Sequence, residues 1–596
     1  MAHLDSLDDG TLVLAAVGAA TLVFLYLLLR SDAEAAVPYT VAPPEQAQPG
    51  WKGPVLAEPA LKVSGSSLIQ CYAPATGEAL ARVNPATADG IDRAVGRAKA
   101  AQVAWARTSF AARRKVLRTM LAFVLANQET IARVACRDSG KTMVDAALGE
   151  ILVTAEKLRW TIRHGEESLK SERRATNLLL AYKWNEVLYQ PLGVVAACVS
   201  WNYPFHNLVS PVIAAIFAGN AVVVKGSEAT AWSSSYFASI VTRALEACGH
   251  SPDIVQSLVC WPSVADRLTS HPDVSHVTFI GSRQVARQVC ASAAKSLTPV
   301  CVELGGKDPA IVLDDLSDGD FNRVASILMR GVFQSAGQNC IGIERVIALP
   351  RAHERLVAHL TPKIRALKPG SVLDAPRGTA VDVGALISAA GFDGLESLIA
   401  DAVKSGARLL AGGTRHVHPE HPQGHYFTPT FLADVTPSMA IAQQELFAPV
   451  FLLMRATSVS DAISTANSTI YALGASVYGS STTDLERVVG EVDAGMVAVN
   501  DFAVTYMVQL PFGGAKGSGY GRFAGKEGLR SLCNLKAVTR DRWPGIKTSI
   551  PGPMDMPLNG PGAGAAAWRM AQGIVLLGYA PTLMGKLEGL ASMLGI

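Results

Sequence analysis

The sequence has no excess of charge of either sign. Its 53 Lys and Arg residues balance 50 Asp and Glu residues over 596 positions, which leaves a net charge of +3 without a block of like charge. Proteins that bind nucleic acids usually concentrate positive charge on one face or in one tail. The composition therefore gives no indication of a nucleic-acid partner.

Paired cysteine motifs are also absent. The nine cysteines are scattered and odd in number, and none of them lies in a CxxC or CxxH spacing. Zinc sites usually show such spacings, and disulfide scaffolds use even sets of cysteines in short secreted chains. We therefore expect reduced thiols in a reducing compartment and no bound metal.

The N-terminus lacks the basic leading segment of a signal peptide but contains a long uncharged run. Residues 11–29 are rich in Leu, Val and Ala, and this length crosses a hydrocarbon core as a helix. Three aspartates precede the run and no small-x-small cleavage site follows it, which favours an anchor over a cleaved signal peptide. Arg30 and Lys52 then favour a body that faces the cytosol. We expect a single-pass protein of the endoplasmic reticulum or another endomembrane.

Proline-rich segments mark both ends of the expected globular body. Five prolines between positions 38 and 54 predict an extended spacer that holds the body away from the membrane. Prolines and glycines alternate again after Trp543, so the globular part should end near residue 545. The apolar residues beyond 564 are interrupted by Arg569, Lys586 and Glu588, which favours an interfacial segment over a second span.

Between these ends the hydrophobic pattern is mostly helical up to about residue 190 and then alternates between strands and helices. Short β-branched runs predict strands at 193–199, 221–225, 254–259, 276–280, 299–303, 310–313, 345–349, 450–453 and 475–478. Strands alternating with helices at this spacing are typical of parallel sheets with crossover helices. The sequence therefore predicts two α/β units with a cofactor crevice between them.

Three residues could carry chemistry, although each one alone gives a weak signal. Cys340 lies in a polar turn flanked by glycine, but a lone cysteine is more often a buried small hydrophobic residue. Glu303 and Asn202 follow predicted strands, yet each could equally be a surface or turn residue. Together, a thiol nucleophile, a carboxylate base and an amide donor are what aldehyde oxidation through a thioester requires.

The motifs around these residues resemble the aldehyde dehydrogenase superfamily. WNYP at 201–204, VELGGK at 302–307 and GQNCIG at 337–342 occur in this order, and the similarity extends from about 60 to 545. The QNC triplet with a hydrophobic N-terminus looks most like the membrane-anchored fungal and plant branch. The resemblance implies two parallel-sheet α/β domains and a bridging β segment, about 173–191 with 530–542, that joins subunits into a homodimer or homotetramer.

The resemblance also implies roles for single residues. Cys340 would be the nucleophile and Glu303 the base for deacylation, while Asn202 and the Cys340 backbone N–H would form the oxyanion hole. Glu228 would bind ribose hydroxyls and repel a 2′-phosphate, which favours NAD, with NADP as the alternative. The implied cofactor-binding residues are Val199, Ser200, Trp201, Lys225, Ser227, Glu228, Gly281, Ser282, Glu445 and Phe447. The family does not use a GxGxxG motif, and none occurs here.

These inferences predict a fixed domain order. We expect a transmembrane anchor at 1–36, a proline-rich linker at 37–57, an NAD(P)-binding domain at 58–303, a catalytic domain at 304–515, a bridging strand at 516–545 and a Pro/Gly-rich linker with a membrane-associated tail at 546–596.

The predicted function is oxidation of an aldehyde to a carboxylic acid with hydride transfer to NAD(P). Location near a membrane suggests aliphatic or lipid-derived aldehydes as substrates. Two alternatives remain open at this point. One is a CoA-acylating or reductive relative, which Glu303 argues against because such relatives tend to lack this base. The other is a tethered scaffold without turnover, which would not need the complete set of five residues Cys340, Glu303, Asn202, Lys225 and Glu445.

Overall fold

The structure is a computed structural model that describes residues 33–376, 378–502 and 507–596, together with Gly18, Thr21, Leu22 and Leu25. Apart from those four positions and residues 33–36, the predicted anchor at 1–36 lies outside the described residues. In the part of the chain that is described, no helix is both long enough and apolar enough to cross a membrane. The chain divides into two compact units, one of Met1–Ser168 with Pro191–Leu532 and one of Leu169–Gln190 with Cys533–Ile596.

The larger unit contains a six-stranded sheet that is parallel except at one edge. In spatial order its strands are Gly519–Tyr520, Val300–Glu303, Val274–Ile280, Val194–Cys198, Ala221–Gly226 and Val255–Val259. Only the two-residue edge strand runs antiparallel to its neighbour. After the inner strand Val194–Cys198 the chain forms Ala221–Gly226 and Val255–Val259 on one side of it. It then forms Val274–Ile280 and Val300–Glu303 on the other side. This reversal creates a crevice at the carboxyl ends of the strands, where such folds bind ligands.

Helices cover this sheet because their apolar residues recur on one side. Hydroxyl side chains cap some of their N-termini. Thr87 accepts a hydrogen bond from the Gly90 N–H, and Ser109 accepts one from the Ala112 N–H. A π-helical turn at Ala147–Leu152 interrupts one of them. The helices are Ala88–Trp105, Phe110–Ala126, Gln128–Ser139, Met143–Ala146, Val153–Leu169, Pro204–Ala218, Ala231–Ala247, Pro262–Thr269 and Arg283–Ala294.

A second sheet, of seven strands, belongs to the same unit and is parallel except for one edge strand. In spatial order its strands are Arg408–Ala411, Thr430–Ala433, Val450–Arg455, Arg345–Ala348, Pro309–Val312, Gly474–Tyr478 and Met496–Val499. Its buried residues form one continuous apolar core. The helices of the larger unit after residue 303 are Asp318–Phe333, Pro350–Arg365, Phe392–Lys404, Ala440–Gln443, Val459–Ala466, Thr482–Glu491 and Gly525–Arg530.

The prediction of an α/β fold with parallel-sheet domains is confirmed, and a strand lies at each of the nine predicted positions. Four further strands of the two large sheets were not predicted, namely Arg408–Ala411, Thr430–Ala433, Met496–Val499 and Gly519–Tyr520. Two short antiparallel pairs were not predicted either. They join Ile69–Tyr72 to Ala79–Val83 and Arg415–His416 to Tyr426–Phe427.

The proline-rich segment after residue 33 differs from the expected spacer. It is extended, but it lies on the larger unit instead of standing free of it. Glu34 is 4% exposed and forms an ion pair with Arg114 at 2.7 Å, and the Tyr39 hydroxyl donates to the Ile240 carbonyl at 2.9 Å. Tyr39 also stacks on Phe123. These contacts fix the place where the chain enters the body.

The smaller unit contains a three-stranded sheet and two C-terminal helices. The strands are Cys533–Asp541, Lys183–Pro191 and Glu172–Arg174, in this spatial order. The helices Ala563–Tyr579 and Leu583–Leu594 follow each other across a short turn.

Candidate active site

Cys340 lies in a strained loop between the turn Gln334–Gly337 and the strand Arg345–Ala348. Ser335 and Ala336 have φ angles of 53° and 57°, a conformation that costs non-glycine residues about 1–3 kcal/mol each. Gly337 also has positive φ, and a Cβ there would lie 2.1 Å from the Ala448 carbonyl oxygen. The glycine before the nucleophile is therefore required by close backbone approach.

Gln338 holds this loop in place. Its Nε2 donates to the Ser335 carbonyl at 3.0 Å, and its Oε1 accepts from the Ile387 N–H at 2.9 Å. The side chain is 3% exposed, so these bonds are shielded from water. The position of the neighbouring Cys340 is thus set before any substrate arrives.

Asn202 joins the end of the inner strand Val194–Cys198 to the same loop. Its Nδ2 donates to the Gln338 carbonyl at 3.1 Å, while its Oδ1 accepts from the Ser200 hydroxyl at 2.8 Å and from the Asn207 amide at 3.1 Å. The side chain amide therefore has a fixed orientation. Nδ2 carries two hydrogens, and Gln338 accepts one of them.

Glu303 ends the strand Val300–Glu303 and is 2% exposed. Burial raises the pKa of its carboxyl to about 7, although the Gly305 N–H donates to Oε1 at 2.9 Å and opposes part of this effect. A carboxyl with this pKa exists in both protonation states near neutral pH. Such a group is well suited to take up and release protons during a reaction.

Cys340 and Glu303 line one cavity of about 850 Å³, a volume that includes its open mouth. Much of the rest of the wall is apolar, with Val153, Ile280 and Phe512 among its residues. The pKa of the Cys340 thiol is raised well above its usual range, first by burial and then by the carboxylates Glu303 and Glu445. The resting cysteine is therefore a neutral thiol that needs a base before it can attack.

Sequence reasoning missed the ion pair that holds the Asn202 turn. Lys141 donates to Glu150 at 2.6 Å and to the Asn202 carbonyl at 2.7 Å, and both side chains are almost fully buried. The other Glu150 oxygen accepts from the N–H groups of Phe205 and His206 at the start of the helix Pro204–Ala218. A carboxylate is stabilised at a helix N-terminus. Glu150 lies in the π-helical turn, a feature often found at functional sites.

Lys157 is a second residue that the sequence did not single out. It lines the cavity, and its Nζ donates to the Ser210 hydroxyl at 2.8 Å. Burial lowers the pKa of this lysine to about 8. Neither Lys141 nor Lys157 lies in a motif, so only the tertiary structure reveals them.

A third missed group connects the VELGGK motif to the segment of Glu445 and Phe447. Lys307, which is 1% exposed, donates to Glu344 at 2.6 Å, and Glu344 accepts from the Leu446 and Phe447 N–H groups at 3.0 Å. A buried charge needs such pairing and hydrogen bonding. Glu344 thereby fixes the backbone on both sides of the predicted cofactor residue Phe447.

Gly305, the first glycine of VELGGK, adopts a turn conformation and also lies close to a distant part of the chain. A Cβ at Gly305 would lie 2.2 Å from Oε1 of Glu445, and the neighbouring Gly306 N–H donates to that oxygen at 3.2 Å. The pKa of the Glu445 carboxyl is raised well above its usual range by burial and by the nearby Glu344 and Glu303. Because Gly305 and Gly306 have no side chains, the two predicted site carboxylates, Glu303 and Glu445, can both approach this backbone turn.

The remaining predicted cofactor residues follow three neighbouring strands of the six-stranded sheet. Lys225 and Glu228 form an ion pair at 3.0 Å, and the Ser227 hydroxyl accepts from the Ala229 N–H. Trp201 lies edge-to-face against Phe447, with ring centroids 5.6 Å apart. The complete group is Val199, Ser200, Trp201, Lys225, Ser227, Glu228, Gly281 and Ser282.

These residues fit a dinucleotide. Ser282 is the N-cap of the helix Arg283–Ala294, and its side chain makes no capping hydrogen bond, so this helix N-terminus can accept a pyrophosphate. Glu228 is only partly buried and can accept hydrogen bonds from ribose hydroxyls. The structure thus groups the predicted cofactor residues at the crevice, while their individual roles stay predictions.

Comparison with known proteins identifies the class. The sequence model of the aldehyde dehydrogenase family matches residues 62–538, so the chain belongs to this family and the resemblance seen in its motifs is confirmed. It is accordingly an oxidoreductase that acts on aldehydes with NAD or NADP.

Several relatives are similar over nearly their whole length. A putative aldehyde dehydrogenase-like protein of Schizosaccharomyces pombe is 50% identical over 510 residues, which cover 86% of this chain and 96% of the relative. One of Saccharomyces cerevisiae is 46% identical over 593 residues, covering 96% and 91%. A Mycobacterium tuberculosis aldehyde dehydrogenase solved with NAD+ is 29% identical, with a TM-score of 0.73 and coverage of 82% and 97%.

Proposed function

We propose that this chain oxidises an aldehyde to the carboxylic acid through a thioester on Cys340. The observation that carries the proposal is that Cys340 and Glu303 line the same cavity. Asn202 is bonded to the carbonyl of Gln338, two residues before the nucleophile. These contacts support the proposed roles of Cys340 as nucleophile, Glu303 as base and Asn202 as oxyanion donor.

The first half of the reaction forms the covalent intermediate. The thiol of Cys340 gives up its proton to water, and the thiolate adds to the aldehyde carbon to give a thiohemiacetal. Asn202 Nδ2 and the Cys340 N–H stabilise the negative oxygen. NAD(P)+, when bound, would supply the acceptor for the hydride that leaves this carbon as the thioester forms.

The second half releases the acid. Ionised Glu303 takes a proton from a water that attacks the thioester carbon. The carbon–sulfur bond breaks, the thiolate of Cys340 is reprotonated and the carboxylic acid leaves. The near-neutral pKa of Glu303 suits this proton transfer.

NAD is the proposed preferred cofactor, with NADP as the alternative. Glu228 supports this preference because its carboxylate would face a 2′-phosphate with like charge. The pairing with Lys225 at 3.0 Å lessens that repulsion. Relatives with 31% identity, such as one from Mycobacterium avium, are named succinate-semialdehyde dehydrogenase [NADP(+)], so the preference has to be measured.

Membrane attachment through residues 1–36 and a lipid-derived aliphatic substrate complete the proposal. The uncharged run at 11–29 supports a single-pass anchor in an endomembrane with a cytosolic body. The apolar wall of the cavity supports an aliphatic aldehyde. If this is correct, kcat/KM should be higher for hexadecanal than for acetaldehyde. Equal or lower efficiency with hexadecanal would remove the lipid-derived substrate.

A homodimer or homotetramer is also proposed. The outer strand Cys533–Asp541 of the three-stranded sheet is mostly exposed, and a free strand edge is suited to pair with another chain. Sedimentation of the purified protein would test this, and a monomer at micromolar concentration would contradict it.

The reaction itself is tested with purified protein, NAD+ and a panel of aldehydes. The proposal predicts stoichiometric NADH and free carboxylic acid, with no acyl-CoA when CoA is added. Formation of acyl-CoA as the main product would assign the chain to the acylating type of reaction, and absence of NADH with every aldehyde would indicate a scaffold.

A further inference from the structure

The two C-terminal helices form a hairpin that is held together by glycines. A Cβ on Gly573 would lie 2.6 Å from the Gly589 carbonyl oxygen, and one on Gly589 would lie 2.6 Å from the Leu577 nitrogen. These two glycines are the only buried residues of the helices Ala563–Tyr579 and Leu583–Leu594, all of which are described. The helices therefore approach each other closely at these glycines, where the Met593 side chain packs beside Gly573 and Leu576 packs beside Gly589.

Each helix presents its own exposed apolar stripe. On the second helix the stripe is Leu583, Leu587, Leu590 and Leu594, which are 42–75% exposed and recur at four-, three- and four-residue steps. On the first helix Trp568, Val575 and Tyr579 are 57–65% exposed at seven- and four-residue steps. Apolar side chains exposed to this extent are typical of a surface that contacts a membrane or another protein.

The same unit extends this apolar surface beyond the hairpin. Leu179 packs close to Gly578, and its neighbours Leu178 and Leu180 are 70% and 43% exposed. The segment before the hairpin adds Ile550 and Met556, at 60% and 85% exposure.

We propose that this hairpin docks into one leaflet of a lipid bilayer that contains anionic lipids. Arg569 and Lys586 outnumber the single acidic residue of the hairpin, Glu588, which gives the cationic excess that anionic headgroups attract. Trp568 and Tyr579 near the two ends of the first helix are the residue types that settle at the headgroup level.

The lengths of the helices favour docking from one side of the membrane. Helices of 17 and 12 residues measure about 25 and 18 Å, which is shorter than the hydrocarbon core of about 30 Å. Neither helix is both long enough and apolar enough to cross a membrane. A second copy of the chain is the competing occupant, but it would have to cover a separate stripe on each helix.

The experiment needs a probe on the hairpin, because residues 1–36 alone could hold the chain on a vesicle. Full-length protein is reconstituted with phosphatidylcholine and phosphatidylserine vesicles whose acyl chains carry bromine, and tryptophan emission is compared between the wild type and Trp568→Phe. The proposal predicts stronger quenching in the wild type. Equal fractional quenching of the two proteins would overturn it.

A paired substitution provides the second arm. Leu587→Lys with Leu590→Lys should reduce the docking equilibrium, measured by Trp568 quenching, at least about tenfold, since the change removes two apolar side chains from the hydrocarbon. Leu125→Lys, at a 52% exposed helical leucine of the larger unit, is the matched control and should leave quenching unchanged. If the double variant instead splits an oligomer and Trp568 is never quenched, the occupant is a second copy and the membrane proposal is wrong.

NADH formation with a soluble aldehyde serves as a separate readout for these proteins. Docking does not depend on turnover, so quenching without NADH would contradict the proposed oxidation and leave docking in place. NADH formation without quenching would contradict docking and leave the proposed oxidation in place.

Discussion

Asn202 donates a hydrogen bond from Nδ2 to the Gln338 carbonyl at 3.1 Å, across 136 positions of sequence. This bond connects the inner strand of the six-stranded sheet to the loop that carries Cys340. It fixes the orientation of the Asn202 amide relative to that loop, which is the preorganisation that the proposed oxyanion hole needs.

Replacement of Asn202 by alanine should therefore lower kcat by about 10²–10³-fold, the cost of losing one oxyanion donor. Steady-state kinetics with a short aldehyde measures this. Asn127→Ala, at a helix end outside the cavity, is the control and should retain activity. An Asn202 variant with unchanged kcat would show that another donor stabilises the oxyanion.

Glu303→Gln should stop the reaction at the thioester. The amide cannot take a proton from water, so one equivalent of NADH should form in a burst without turnover, measured by stopped-flow absorbance. Loss of the burst together with turnover would show that Glu303 is also needed to activate the thiol.

The pH dependence follows from the same carboxyl. Its pKa is about 7, so the ionised, base-competent fraction rises as pH increases through 7. We expect kcat of the wild type to rise over pH 6–8 and then to level off. A kcat that falls as pH rises through this range would contradict the role of Glu303 as a base.

The sequence predicted the buried strands because parallel strands covered on both faces appear as short apolar runs. Val194–Cys198 is such a run, with every residue buried. The two-residue strand Gly519–Tyr520 carries no comparable signal, and only its pairing with Val300–Glu303 defines it. The strand Gly519–Tyr520, which is defined by a partner far away in the sequence, was therefore not predicted.

The same distinction applies to the site. Cys340, Glu303 and Asn202 lie in recognisable motifs, and the structure places them together. Glu344 and Glu150 lie outside any motif that was interpreted. Glu344 pairs with Lys307, 37 positions earlier, while Lys141 pairs with Glu150 and also donates to the Asn202 carbonyl, 61 positions after Lys141. Local pattern contains no information about such pairs.

Glu344→Gln tests one of these pairs. The change leaves the Lys307 ammonium buried without its carboxylate, which should cost about 3 kcal/mol of unfolding free energy, measured by chemical denaturation. It should also raise KM for NAD+, because Glu344 holds the backbone beside Phe447. The control is Glu354→Gln, which removes an exposed pair with Arg455 and should change neither value. Equal effects of the two substitutions would contradict a positioning role for Glu344.

Glu228→Gln tests the cofactor preference. Removal of the carboxylate should raise kcat/KM with NADP+ relative to NAD+ by about tenfold or more, since loss of a like-charge contact of about 1.4 kcal/mol corresponds to that factor. Initial rates with the two cofactors at fixed aldehyde give the ratio. An unchanged ratio would show that other residues select the cofactor.

The central claim is that Cys340 is the nucleophile, and Cys340→Ala tests it most directly. Cys290 provides a control because it is also partly exposed but does not line the cavity. The account predicts that Cys340→Ala loses all aldehyde-dependent NADH formation and forms no covalent intermediate by mass spectrometry, while Cys290→Ala keeps wild-type turnover. NADH formation that survives Cys340→Ala in the folded protein would contradict the mechanism.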